Sequence, residues 1–225
     1  MARQRATARQ RGRLSAVPGW PRMTLLRRLG DYTNHPDPLT AACNRIALLV
    51  VANQPFYPLY LWWIVGSGWR ISVWTFLSTP FFAAVPSVAR RNARAGRAML
   101  PLTGIANAAL STAAFGESSG VAMFLIPCGL IVLCAFRDGE RRITIALLAL
   151  ALITALAHSH YGSLYYHFAP AQYARFRRLN ATSAGALSIV ILWSLIRARA
   201  SGAPQKTRPT PPRPSPPCPS KDPPA

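Results

Sequence analysis

Uncharged polar side chains lie in the middle of long apolar stretches of this chain. Amides and hydroxyls without a partner are costly in hydrocarbon, so such groups must face the inside of a helix bundle. Gathered at one depth, they would line a pocket that hydrogen-bonds a small uncharged ligand. The ligand-binding candidates are Asn53, Gln54, Thr79 and Asn107. The alternative interpretation is that these groups bond across helices and only hold the bundle together.

Prolines accompany these polar residues at the same depth. Pro55, Pro80 and Pro127 lie in the middle of three different apolar stretches. Proline lacks a backbone donor and frees the carbonyl four residues earlier. The prolines are therefore expected to add hydrogen-bond acceptors near the candidate pocket.

Histidines form the second group that could do chemistry. Three of the four fall within residues 158–168, HSHYGSLYYHF. Two histidines separated by one residue point to one side in an extended segment, as metal ligands must, but point apart in a helix. No cysteine or acid lies nearby in sequence, so no metal site is predicted. The alternative metal ligands are His158, His160 and His167.

Acidic residues are few and lie outside the apolar stretches. The six are Asp31, Asp37, Glu117, Asp138, Glu140 and Asp222. No paired carboxylates, nucleophile elbow, phosphate-binding loop or HExxH motif is present. Both lysines lie in the C-terminal tail, which excludes a Schiff base within a membrane. The sequence therefore predicts a protein that is not an enzyme and has no cofactor.

Six apolar stretches are expected to form the helices that position the candidate pocket. A hydrocarbon core of roughly 30 Å needs about 20 helical residues. The stretches are 42–66, 70–89, 97–115, 120–136, 142–158 and 181–197. Only 14% of the residues are charged, against about 25% in a soluble domain. We therefore predict an all-α, polytopic membrane protein whose fold is a six-transmembrane-helix bundle.

The distribution of arginine predicts how this bundle is oriented. With six spans, 21 of the 26 basic residues fall on one side and four on the other, with Arg45 at the inner end of the first span. Basic residues concentrate on the cytoplasmic side, so both termini are predicted to be cytoplasmic. The RFRRLN cluster at 175–180 lies on the opposite side and favours a five-span alternative. The net charge of +20 then indicates the anionic inner leaflet as partner, rather than nucleic acid.

The segments outside the bundle have compositions of their own. Residues 1–38 form a basic cytoplasmic segment, in which 20–30 could fold as an amphipathic helix on the membrane surface. Met23 is an alternative start, in which case residues 1–22 would not be native. Residues 39–199 form the six-span domain. Residues 200–225 hold ten prolines and are predicted to be a disordered cytoplasmic tail.

Several segments together resemble a known arrangement. HPDPLTAACNRIALL leads into the first span, FGESSGVAMFLIPCGLIVLCAF ends in RDGERR, and RLNATSAGALSIVILW enters the last span. This layout resembles the six-helix N-terminal membrane modules of bacterial sensor histidine kinases and nucleotide cyclases over residues 35–197. The resemblance implies anchoring or sensing for a cytoplasmic catalytic domain. Here residues 200–225 are only a proline-rich tail, so the resemblance implies sensing or assembly with a separate signalling protein, or a truncated relic.

The combined interpretation is a sensory, receptor-like or anchoring module in the bacterial inner (plasma) membrane. It would bind its ligand near the bilayer midplane and act on a separate signalling protein or within a homo-oligomer. One alternative is a small transporter or channel subunit with the prolines as hinges. The other is a purely structural multi-pass membrane protein.

Overall fold

The computed structural model describes residues 21–66, 68–157, 160 and 167–202. Helices and turns account for these residues, and no strand occurs among them, which confirms the all-α class. The α-helices are α1 (Pro21–Thr33), α2 (Pro38–Asn53), α3 (Phe56–Ile64), α4 (Thr79–Arg91), α5 (Ala93–Phe115), α6 (Leu125–Ala135), α7 (Arg141–Ala157) and α8 (Pro170–Gly202). Between them lie the 3-10 helices Trp69–Ser78, Glu117–Ser119, Val121–Phe124 and Asp138–Glu140.

From α2 to α8 the chain passes six times between the two ends of one bundle, and we call each pass a leg. In order, the legs are α2 with α3, Trp69–Ser78 with α4, α5, the two short 3-10 helices with α6, α7, and α8. At the first end, which we call the basic end, lie Asp37, Arg97, Arg137 and Glu140. At the other end, which we call the aromatic end, Tyr57, Phe115, Phe168 and Phe176 pack together. The legs therefore follow the six apolar stretches of the sequence in order.

Within the part of the chain that the structure describes, three helices are long and apolar enough to cross a membrane. These are Trp69–Arg91, in which a 3-10 turn continues into α4, Ala93–Phe115 and Pro170–Gly202. Pro38–Asn53 and Val121–Ala135 are apolar but shorter. Membrane association thus rests on three helices, and the six-span topology and its orientation stay predictions.

The outside of the bundle is apolar along its length. On α7 the side chains of Leu152, Ile153 and Leu156 are exposed, and on α8 so are those of Trp193 and Ile196. A monomeric soluble protein rarely exposes a continuous apolar surface of this kind. The exterior is therefore suited to contact with lipid.

Local signals in the sequence explain where two of the legs begin. Asp37 caps α2 and accepts a hydrogen bond from the backbone N–H of Thr40 at 3.3 Å, while Pro38 occupies the first helical position. Asn92 caps α5 in the same way through the N–H of Ala95 at 3.0 Å. Both caps lie at the basic end, where α2 and α5 start side by side.

Three legs change helix near their middle, in each case at a proline. Pro55 lies between α2 and α3, Pro80 is the second residue of α4, and Pro127 is the third residue of α6. Proline is tolerated in the first turn of a helix because its missing N–H would have no partner there. These three prolines therefore stand where one helical segment passes into the next within a leg.

The helix α1 lies against the basic end. Its exposed leucines, Leu25, Leu26 and Leu29, share one face. The hydroxyl of Tyr32 donates to the carbonyl of Ala83 at 2.8 Å, which ties α1 to α4. The amphipathic helix expected over residues 20–30 thus corresponds to α1, and its apolar face is not covered by the described part of the chain.

Candidate functional site

A cleft of about 630 Å³ opens between the first leg and α5, α6 and α8. We refer to it as the cleft. Its volume falls within the roughly 300–1,000 Å³ typical of small-molecule sites. Most of the side chains that line it are apolar, and among the described residues none of the lining side chains is an Asp, Glu, Lys, Arg or His. The cleft is therefore suited to an uncharged, largely apolar molecule.

Two polar side chains of α5 lie in the cleft without a hydrogen-bond partner. Asn107 and Ser111 are four residues apart, so they share one face of the helix. Within the described part of the chain, Asn107 Oδ1 and Ser111 Oγ are buried and make no hydrogen bond. Ser111 is only 3% exposed. Because an unpaired buried polar group costs about 1–3 kcal/mol, a ligand that bonds to these atoms would remove that cost.

The other predicted site residues have different positions. Asn53 lies at the rim of the cleft and is exposed. Gln54 lines the cleft but its amide is satisfied: Nε2 donates to Ser78 Oγ at 2.8 Å and to the Thr75 carbonyl at 3.2 Å. Thr79 does not line the cleft, and its hydroxyl donates to Gln54 Oε1 at 2.6 Å. Gln54 and Thr79 are therefore bonded to each other and hold the first leg against the second.

The hydrogen bonds of Gln54 connect the first leg to the second at the point where each passes from one helix to the next. Gln54 follows the end of α2, and Ser78 and Thr79 stand where the 3-10 helix passes into α4. At both points one helical segment passes into the next, and the buried amide of Gln54 bonds there to the Thr75 carbonyl and to the hydroxyls of Ser78 and Thr79. The interpretation as interhelical hydrogen bonds thus describes Gln54 and Thr79, while Asn53 and Asn107 belong to the cleft.

The mouth of the cleft faces sideways, between α3 and α8. Tyr60 and Trp63 of α3 line it and are 40% and 80% exposed, and Val190 of α8 lines it and is 38% exposed. These side chains belong to the apolar exterior and not to either end of the bundle. A ligand would therefore enter through the side of the bundle, from the medium that contacts its apolar exterior.

Hydrogen bonds and packed rings close the cleft towards the aromatic end. The Tyr57 hydroxyl donates to Asn180 Oδ1 at 3.1 Å, and Asn180 Nδ2 donates to the Ser119 carbonyl at 3.0 Å. The rings of Phe115 and Phe176 meet edge to face at 5.0 Å. Asn180 begins an Asn-Ala-Thr glycosylation motif, but its side chain is fully buried. Its role here is to join α3, α8 and the turn before the fourth leg.

A buried group of charges lies at the basic end, and sequence reasoning missed it. Arg97, which is 4% exposed, contacts Glu140 Oε1 at 2.6 Å and Asp37 Oδ2 at 3.8 Å and donates to the Ala135 carbonyl at 3.0 Å. Arg137 contacts Asp37 at 2.8 Å. These residues tie the starts of α2 and α5 to the turn between α6 and α7. The count of basic residues used to predict the orientation had treated Arg97 as one of several arginines in a loop on the cytoplasmic side.

Asp37 is held in its charged form by this group. Burial alone would raise the pKa of Asp37, but the hydrogen bond from Thr40 and the charges of Arg97 and Arg137 outweigh that effect and lower the pKa below its ordinary value. The signal that could have identified the cluster is the pair of caps. The Asp-Pro start of α2 and the Asn cap of α5 bring Asp37 and Arg97 to the same end.

The histidine-rich segment 158–168 shows no metal site in the residues that the structure describes. His158 lies outside the described residues. His160 and His167 are both exposed. Across residues 21–66, 68–157, 160 and 167–202, no group of three His, Cys, Asp or Glu could hold a metal ion.

Comparisons of this chain with known protein families, with curated proteins and with solved structures found no match. The resemblance to the membrane modules of sensor kinases and cyclases therefore stays a prediction from sequence. The functional argument rests on the cleft and on the basic end.

Proposed function

We propose that this chain is a membrane-embedded, receptor-like module that binds a small uncharged ligand in the cleft and performs no catalysis. It would span the plasma membrane of a bacterium six times, with the basic end and both termini on the cytoplasmic side. The observation that carries the proposal is a pair of buried atoms, Asn107 Oδ1 and Ser111 Oγ, that have no partner among the described residues and lie in a cleft whose described lining carries no charged side chain.

The helix α5 offers a route from the cleft to the basic end. It is continuous from Ala93 to Phe115 and carries Ser111 in the cleft and Arg97 in the buried charge cluster. These two residues are fourteen positions apart, or roughly 21 Å along a helix axis that rises 1.5 Å per residue. A ligand-dependent shift of α5 would move Arg97 against Asp37 and Glu140. A separate signalling protein, or a second copy of the chain, would receive the change at the cytoplasmic surface.

Filling the cleft tests the proposal. Ala186 of α8 lines the cleft and is exposed, so tryptophan there would occupy the mouth without crowding the core. We expect dodecanol to raise the melting temperature of the wild-type protein in phosphatidylcholine nanodiscs, and the rise to disappear in Ala186→Trp. A ligand at about one hundred times its Kd adds about 2.7 kcal/mol to stability, which is readily measured.

Ala181→Trp is the matched control. Ala181 is also exposed on α8 but does not line the cleft. Its variant should keep the full rise in melting temperature. Loss of the rise in both variants, or in neither, would contradict ligand binding in the cleft. If dodecanol, methyl decyl ketone and dodecane all leave the wild-type protein unchanged, a structural membrane protein becomes the better account.

A transporter or channel subunit is the second candidate. The observation that favours it is the interruption of three legs at Pro55, Pro80 and Pro127, since broken helices at mid-depth are frequent in transporters. The function would need solute to cross the bundle. Uptake of an uncharged solute into protein-containing liposomes, above that of empty ones, would support this candidate over the receptor.

A further inference from the structure

We infer that the ligand of the cleft is an uncharged lipid whose head group donates a hydrogen bond, such as a hydroxyl. This inference rests on the proposed function and specifies the chemistry of its ligand. It draws on three features of the cleft: the absence of charge along its lining, the kind of atom left unpaired, and the direction of the mouth.

The lining first limits the charge of the ligand. Because none of the described residues that line the cleft is an Asp, Glu, Lys, Arg or His, a buried ammonium, carboxylate or phosphate would find no counter-charge among them. Burying an isolated charge in apolar surroundings is far more costly than burying a neutral polar group. Fatty acids and phospholipid head groups are therefore disfavoured inside the cleft.

The unpaired atoms then limit the hydrogen-bonding type of the head group. Asn107 Oδ1 can only accept a hydrogen bond, while the Ser111 hydroxyl can donate one and accept one. A ligand hydroxyl can donate to Asn107 Oδ1 and accept from Ser111. A ketone or an ether only accepts, so Asn107 Oδ1 would remain unpaired. An alcohol satisfies both atoms at once, and a ketone satisfies one.

The position of the two atoms fits a head group followed by a chain. Asn107 and Ser111 lie on α5 on the inner side of the cleft, whereas Tyr60, Trp63 and Val190 lie at its sideways mouth. Between them the lining is mainly apolar, with Leu49, Leu187 and others. A molecule with its hydroxyl at α5 would extend its alkyl chain along this lining towards the apolar exterior. Such a ligand can reach the cleft directly from a bilayer.

Amphiphiles that share a chain length but differ in head group test the inference. Dodecanol, methyl decyl ketone and dodecane would each be titrated against the protein in phosphatidylcholine nanodiscs, with the melting temperature as readout. We expect dodecanol to reach half of its effect at a concentration about tenfold lower than the ketone, which corresponds to about one additional net hydrogen bond. Dodecane should be the weakest of the three.

Two variants separate the head-group contact from general partitioning. Asn107→Leu should bring dodecanol and the ketone close to the same concentration, because it removes the unpaired acceptor to which only the alcohol can donate. Ser188→Ala should retain the tenfold preference, since Ser188 donates to the Ala184 carbonyl within α8 at 2.7 Å and does not line the cleft.

The outcomes distinguish this inference from the proposed function. Equal potency of dodecanol and the ketone in the wild-type protein, with both effects lost in Ala186→Trp, would overturn the donor head group and leave the receptor proposal standing. A preference that survives Asn107→Leu would also overturn the inference. No stabilisation by any of the three amphiphiles would overturn both.

Discussion

Replacement of Arg97 by methionine is expected to lower the free energy of unfolding by about 3–5 kcal/mol. Arg97 is buried and pairs with Glu140 at 2.6 Å, while its second carboxylate neighbour, Asp37, lies at 3.8 Å. Methionine fills a similar volume but leaves Glu140, itself 8% exposed, without its buried cation. Removing one partner of a buried pair is costly because the other charge remains buried. Unfolding in mixed micelles of mild detergent and dodecyl sulfate measures the difference.

Arg94→Met is the matched control for this experiment. Arg94 contacts the same Glu140 oxygen at 3.0 Å, but its side chain is 59% exposed. An exposed ion pair contributes about 0–1 kcal/mol, so this variant should unfold close to the wild type. Equal destabilisation by the two substitutions would contradict the assignment of Arg97 as the buried centre of the basic end.

Replacement of Gly96 by alanine is expected to destabilise the bundle by about 1–3 kcal/mol, as overpacking of a close contact does. A Cβ added at Gly96 would lie 2.5 Å from Ala89 Cβ and 2.6 Å from Ala89 Cα. Because one of these atoms belongs to the backbone, the clash is relieved only if α4 and α5 move apart. The expected result is a lower melting temperature in nanodiscs.

Gly129→Ala is the same substitution at another glycine, and it is not expected to lower the stability of the protein. Gly129 lies within α6, and no atom lies within 4 Å of a Cβ added there. Alanine in the interior of a helix is favoured over glycine by about 0.8–1.0 kcal/mol, so this variant should be at least as stable as the wild type. If Gly96→Ala proved as stable as Gly129→Ala, the close packing of α4 against α5 would be wrong.

The all-α fold class could be predicted from the sequence, because long apolar stretches predict helices. The helix starts within the legs could not, because Pro55, Pro80 and Pro127 stand at such points whereas Pro86 and Pro101 lie inside α4 and α5. The importance of Gly96 could not be predicted either, because it depends on which residue of α4 faces it.

Three of the four predicted site residues line the cleft, but the sequence could not predict which way their side chains point. Asn53 and Gln54 are neighbours, and successive residues of a helix point about 100° apart. One amide is therefore exposed at the rim and the other is buried against Ser78 and Thr79. Sequence alone does not give the rotation of the first leg about its axis. It therefore could not show which of Asn53 and Gln54 lies at the rim of the cleft and which bonds to the second leg.

The buried charges could not be predicted for a related reason. A count of basic residues treats every arginine near a loop as solvated. Whether one of them is buried depends on the turn between α6 and α7, which brings Glu140 to Arg97 across 43 positions of sequence. Ser111 was missed because a single hydroxyl in an apolar helix usually bonds to its own backbone, as Ser188 does.

Photolabelling in a bilayer measures most directly whether the cleft binds a lipophilic molecule. A diazirine derivative of dodecanol would be activated with the protein in phosphatidylcholine nanodiscs, and the modified residues mapped by mass spectrometry. We expect adducts to concentrate on residues that line the cleft, such as Asn107 and Leu187, and to decrease when unlabelled dodecanol is added in excess. Adducts spread over the exposed surface of α7, at residues such as Leu152 and Leu156, without competition would contradict a ligand-binding cleft.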